Sequence, residues 1–203
     1  MRNIIIGIII VFVVIIAIVF FFVSLGGPDL SKFEYLKQPQ ISEKSQQRML
    51  VVEVKGDPSV VAGKAFGTLF QVYYKLENNS KSFKVAPLGR WLFSFDTRRD
   101  QWLGRYALPV ADTAQLPKNF KSNDPNIKVE LNTWEYGTVA EVLHVGPYNA
   151  EAPTINKLLA FIKTKGYRII GEHEEEYLKG PGMLFKGNPK DYYTVIRYQV
   201  KKK

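Results

Sequence analysis

The sequence predicts an α+β domain made of a duplicated β-α-β-β unit behind one N-terminal transmembrane helix. Three observations predict it. The run from Asn3 to Pro28 contains no Asp, Glu, Lys, Arg or His and exceeds the roughly 20 apolar residues needed to cross a bilayer core. From Arg48 onward the apolar pattern switches between the strand and helix periods twice, in the same order. The turns Lys55-Gly56-Asp57-Pro58 and Val145-Gly146-Pro147-Tyr148 occupy equivalent places in the two halves.

The apolar core from Ile4 to Leu25 is longer than the roughly 7–15 residues of a signal-peptide core, and Ser24-Leu25-Gly26-Gly27-Pro28 lacks an Ala-x-Ala site. An uncleaved anchor over 1–28 is therefore expected in place of a cleavable signal, with membrane lipid against residues 4–25. Orientation is contested: Arg2 favours an inside N-terminus, while Lys32, Lys37, Lys44 and Arg48 pull the other way. The long domain after a Met-Arg-Asn-Ile start tips the expectation to the non-cytoplasmic side. Residues 29–47 are polar, contain Pro39 and show no sustained apolar period, so they read as a tether. Residues 48–203 have the size of one domain.

In the first half, Arg48 to Lys55 reads as a strand and Gly56-Asp57-Pro58 as a turn into a helix from about Ser59 to Glu77. Val61, Ala65, Leu69, Val72 and Leu76 form its stripe. Trp91 to Phe95 and Gly104 to Val110 read as strands on either side of a polar turn. In the second half, Tyr136 to His144 is a strand and Ala152 to Lys165 a helix with Ile155, Leu158, Leu159 and Ile162 on one face. Gly166 stops that helix. Tyr167 to Leu178 and Tyr192 to Val200 close the unit, and Ala111 to Glu135 crosses between halves.

Zero cysteines exclude disulfides, cysteine-ligated metals and thiol catalysis. His144 and His173 are the only histidines and lack partners at metal-ligand spacing, so no metal or cofactor is expected. A hydrolytic triad cannot be placed either. The net charge of +9 includes the Lys201-Lys202-Lys203 tail, but no nucleic-acid-binding motif accompanies it, and no nucleic-acid partner is expected. Glu172, Glu174, Glu175 and Glu176 form an acidic run around His173, the kind that usually lines a solvated strand edge or loop. Strand alternation would aim only half of it inward.

The stretch Thr138-Val139-Ala140-Glu141-Val142-Leu143-His144-Val145-Gly146-Pro147-Tyr148, the helix with Asn156-Lys157-Leu158-Leu159-Ala160-Phe161, and Lys165-Gly166-Tyr167 resemble the GyrI-like small-molecule-binding family. Glu176-Tyr177-Leu178 and Thr194-Val195-Ile196-Arg197 fall where that family has Tyr-Leu and Thr-Glu-Ile strands, and Gly104 to Pro109 resembles the end of its first repeat. The resemblance implies two repeats about a pseudo-twofold axis, helices on one side and a cleft between repeats that binds small organic molecules. Some members act as effector-binding domains of transcription regulators, and others hydrolyse strained cyclopropane-containing compounds. The order of anchor and domain resembles the family's membrane-anchored autophagy receptor, whose recruiting motif lies in a long disordered tail; this sequence ends at Lys203, directly after its last strand.

Val195 stands where the resemblance implies a cleft glutamate. Tyr193, Val195 and Arg197 share one strand face, and aligning the strand ends sets Arg105 opposite Val195. Two arginines at the cleft would favour an anionic or neutral amphiphile. Trp91, Phe93, Trp134, Tyr148, Tyr177 and Tyr193 are the candidate aromatic wall, with Arg105 and Arg197 as candidate charges. No catalytic residue is assigned. The expected function is a membrane-anchored small-molecule sensor or sequestering domain. The alternatives are a membrane-tethered scaffold for a protein partner, its cleft degenerate, and then a GyrI-like hydrolase.

Overall fold

The computed structural model describes residues 29–82, 84–92, 97–120, 127–181 and 187–203. The expected anchor over 1–28 and Phe93 lie outside the described residues. Among the described residues no helix is long and apolar enough to cross a membrane.

After a 3-10 helix at Leu30–Lys37, the elements are β1 (Gln40–Lys44), β2 (Gln47–Lys55), α1 (Pro58–Tyr73), β3 (Leu88–Leu92) and β4 (Leu103–Pro109). β5 (Val129–Trp134), β6 (Gly137–Val145), α2 (Ala152–Thr164), β7 (Tyr167–Lys179) and β8 (Tyr193–Lys202) follow. Both strand-to-helix turns use a glycine at φ +142°, Gly56 and Gly146. At Gly56 a Cβ would sit 2.8 Å from Val61 Cγ1, so space and backbone both require glycine. Asp57 then caps α1 by accepting from the Ser59 amide at 2.9 Å, with Pro58 opening the first turn. α1 ends at Tyr73, short of the expected Glu77, because the Glu77 backbone pairs with Gln115 in a two-way bridge.

All eight strands form one antiparallel sheet in the order β1-β6-β8-β7-β3-β4-β2-β5. The order is symmetric about the β7–β3 pair: each strand of the second half has a counterpart at the mirrored position. The duplicated unit expected from periodicity is therefore present, and each half also carries an outer strand the periodicity did not reveal. β5 arises inside the expected crossing segment and pairs with β2. β1 arises inside the expected tether and pairs with β6.

That tether is thus part of the fold. Leu36 of the 3-10 helix is buried against Leu143, Leu178 and Val195, and β1 adds five residue pairs to the sheet. Its polar composition misled because an edge strand needs few apolar side chains.

The short connections force the sheet to curl. In a flat sheet β1 and β2 would lie six spacings apart, about 29 Å, yet Lys44 and Gln47 are three Cα steps apart, at most about 11 Å. The same conflict holds for β5 and β6, joined from Trp134 to Gly137. Both are met only if the two edges approach each other. The concave face consequently encloses a core that draws Met49, Val51, Leu88, Ala107, Trp134, Tyr136 and Val139 from both ends of the sheet. Helices α1 and α2 cover separate parts of the convex face. α1 packs on Leu50, Val52, Tyr106 and Leu108, and α2 on Ala140, Val142, Ile196 and Tyr198.

Candidate functional site

Between the two helices, on the convex face, strands β3 and β7 lie side by side. Alternation on β7 sends His173, Glu175 and Tyr177 to this face, and Glu172, Glu174 and Glu176 to the concave one. The acidic run is thus divided between two buried environments in place of the expected solvated edge.

On the convex side Glu175 is the hub. His173 Nε2 donates to Glu175 Oε1 at 2.9 Å, and the Tyr177 hydroxyl donates to Oε2 at 2.7 Å. His173 Nδ1 lies 2.8 Å from the Tyr198 hydroxyl. Tyr148, on the turn before α2, stacks edge-on against Tyr177 with centroids 5.5 Å apart and lies 5.3 Å from Tyr192. From the α1 side, Phe66 meets Tyr106 at 5.1 Å and Tyr177 at 5.8 Å, and Trp91 meets Tyr106 at 5.4 Å. A carboxylate is thereby walled by rings from both halves.

Glu151, at the entry of α2, is 6% exposed and reaches the same carboxylate. Burial, then the charge of Glu175, pushes its pKa up to about 9. Burial also disfavours the ionised form of Glu175, but the hydrogen bond and charge of His173, with Tyr177 and Glu151, outweigh it and hold that carboxyl below its usual range. The two carboxyls are thus pushed in opposite directions and titrate as a pair. Burial raises the Tyr148 and Tyr177 hydroxyls above their usual range, with nearby tyrosine or carboxyl charge adding to it. Among the described residues, the buried Tyr106 Oη and Glu151 Oε1 have no hydrogen-bond partner.

The raised pKa of Glu151 has a stability consequence. The folded state retains a proton that the unfolded state releases near 4.5, so its contribution is full below that value and is lost as pH rises towards 9. Glu151→Gln, which keeps the donor without the titration, should raise the melting temperature at pH 8. The gain should shrink towards pH 5. Thermal melts of both proteins across that range check it; a constant offset would show that Glu151 is not the titrating group.

Three of the eight expected residues, Trp91, Tyr148 and Tyr177, come together in this ring cluster on the convex face. Phe93 lies outside the described residues, and the other four belong to the concave side. Trp134 lies inside the curl beneath Arg90, whose guanidinium carbon is 3.8 Å from its ring centroid. Tyr193 packs in the cluster under the 3-10 helix. Arg105 is paired with Glu53 at 2.9 Å and Glu172 at 3.2 Å. Arg197, 4% exposed, is held by Glu141 at 2.8 Å, Glu174 at 2.5 Å and Glu176 at 2.9 Å.

Tyr193, Val195 and Arg197 do share a face, but it is the inner one; Thr194 is on the convex face. The expectation of an arginine-lined cleft is therefore corrected, because both guanidiniums are committed to carboxylates on the other side of the sheet. The carboxyl on the ring-walled side is Glu175, from β7, whereas Val195 packs in the inner cluster. Glu151, His173, Tyr106 and Phe66 were missed as site residues. The available signal was the period-2 spacing of His173, Glu175 and Tyr177, which ties the carboxylate to a tyrosine already singled out. Among the described residues no cluster of three or more His, Asp or Glu is arranged to hold a metal ion.

A family model described as GyrI-like small molecule binding domain matches residues 37–201. No curated protein matches the sequence. Among solved structures, an uncharacterized conserved protein from Listeria innocua is similar at 25% identity with a TM-score of 0.64, over 85% of this chain and 98% of that one. A hydrolase from the same organism is similar at 26% identity and a TM-score of 0.63, over 84% and 96% of the two chains. The C-terminal domain of EcmrR shares the fold, at 17% identity and a TM-score of 0.61 over 82% and 98%.

Proposed function

The chain belongs to the family of GyrI-like small-molecule-binding domains, and from that premise we propose that it binds a flat or aromatic organic cation between α1 and α2. The geometry that carries this reading is the largely buried Glu175 carboxyl with Glu151 beside it, walled by aromatic rings from both repeats. An ionised carboxylate in an apolar wall rewards a cation that brings its own counter-charge, and ring faces add stacking area. Tyr148 is the most exposed of these rings, at 38%, and the one a ligand would meet first. This reading replaces the anionic amphiphile expected for the cleft.

Titration with rhodamine 6G, a flat aromatic cation, against the anionic dye fluorescein tests it. The cation should bind and the anion should not. Tyr148→Ala should weaken cation binding about tenfold, on the usual contribution of a stacked ring. Equal binding of both dyes would remove the electrostatic basis of the proposal.

Hydrolysis is the second reading, and the same pair favours it. A protonated Glu151 against an ionised Glu175 offers an acid and a base within one site, and a relative at 26% identity is described as a hydrolase. Turnover of a strained cyclopropane-containing aromatic, retained binding but lost turnover in Glu151→Gln, would establish it.

We further infer that the apolar run from Asn3 to Pro28 holds this domain at a membrane, on the non-cytoplasmic side. The full chain should stay in the membrane pellet after carbonate extraction, and protease added outside intact cells or vesicles should digest the domain. Release by carbonate would overturn anchoring, and protection from protease would reverse the orientation.

A further inference from the structure

The sheet carries a second concave feature, at the end of β8 away from the 3-10 helix. β6 and β8 pair from Val145↔Tyr193 as far as Val139↔Gln199 and then part. Gly137 and Thr138 stay with β1, while Val200, Lys201 and Lys202 stay with β7. On the other flank β7 bulges: from Ile169↔Val200 to His173↔Tyr198 it advances four residues against two. Gly171 allows this, since a Cβ there would lie 2.7 Å from Gln199 Cβ. A bulge re-aims side chains, and Ile169 and Ile170 turn to solvent, the latter 46% exposed.

The splay leaves a notch of about 460 Å³, within the size range of small-molecule sites. Ile41, Tyr167, Ile170 and Val200 supply its apolar wall, and Lys201 and Lys202 its rim. Both lysines are exposed and form no ion pair among the described residues. Lys44 stands nearby over the Tyr136 ring at 5.0 Å. The one carboxylate in the lining, Glu43, accepts from the Thr138 hydroxyl at 2.7 Å. The notch is thus a mixed surface, with apolar Ile41, Tyr167 and Ile170 beside polar Ser42, Thr138 and Gln199, and two unpaired lysines at its lip.

We propose that this notch is a second ligand site, for a single-chain amphiphile with an anionic phosphate or carboxylate head. The alkyl chain lies along Ile41, Tyr167, Ile170 and Val200, where removal from water is favourable. The head group pairs with Lys202, which shares a strand face with Val200, and Lys201 adds positive charge at the rim. This site does not depend on the occupant of the convex groove.

The test uses the full chain in phosphatidylcholine nanodiscs with dilute diazirine-bearing dodecyl phosphate, followed by peptide mapping of the photo-adducts. Matched maltoside and trimethylammonium probes supply the neutral and cationic arms. The phosphate probe should label residues 167–171 and 199–203, and excess dodecyl phosphate should compete. Labelling should fall at least about fivefold in Lys201→Glu/Lys202→Glu, as expected when two favourable charge contacts become repulsive, and persist in Lys201→Arg/Lys202→Arg. Melting temperatures of both variants report whether the fold is kept; these lysines lie on the surface. Equal labelling by the neutral or cationic probe, or labelling unchanged by Lys201→Glu/Lys202→Glu, would overturn the proposal. So would adducts confined to residues 1–28, and competition by inorganic phosphate alone would reduce the notch to a phosphate site without a chain.

Discussion

Arg197→Met should destabilise the protein by about 3–5 kcal/mol, the cost of removing one partner from a buried ionic cluster. Arg197 is the only cation in contact with Glu141 and Glu176 among the described ion pairs, and shares Glu174 with Arg90. Burial works against its charge, but Glu176, Glu174 and Glu141 outweigh that and raise its pKa further. Methionine fills much of the volume and leaves two carboxylates buried inside the curl without a counter-charge. Ser42 donates to Glu141 at 2.6 Å, which compensates one oxygen and not the charge. For a domain of this size the change amounts to a fall of roughly 10 °C in melting temperature. Adding Glu141→Gln and Glu176→Gln should recover much of the loss, because the uncompensated charges leave with the carboxylates. Thermal melts of the single and triple variants measure both effects. A single variant within about 1 °C of the wild type would mean the cluster is hydrated, and its pairs worth little.

Glu175→Gln should cost about 30-fold or more in affinity for rhodamine 6G, near 2 kcal/mol, since a buried charge pair loses its negative member. The substitution keeps the shape and lets the Tyr177 and His173 contacts be partly remade, so a large stability change is not expected. A neutral aromatic of similar size should lose far less, because it uses the rings alone. The comparison, made by fluorescence titration, separates charge from packing. A uniform loss for cation and neutral ligand would indicate a collapsed groove, and no loss for the cation would place its site elsewhere.

Legibility in the sequence differed by element. The strands around Val51, Ala107, Val142 and Ile196 and both helices announced themselves through local period and turn chemistry at Gly56 and Gly146. β1 and β5 did not, because each is a short outer strand whose stability comes from pairing with β6 and β2 across long stretches of chain. Half of the groove was legible: Tyr148 and Tyr177 were named from motif and spacing. Glu175 and Glu151 were not, since a run of glutamates reads as solvated surface until both faces of its strand are seen to be buried.

The sequence by itself determined the order of the repeated β-α-β-β elements, the duplication and the family, all written in local periodicity, turn residues and motif. It also determined the parity of each strand, so Tyr193, Val195 and Arg197 had to point the same way. Only the tertiary structure decided which way that was. The short β1–β2 and β5–β6 connections draw the sheet edges together, making one face an enclosed core and the other a platform for two helices. Alternation specifies that side chains divide between two faces; what lies over each face is fixed by the closing of the whole sheet.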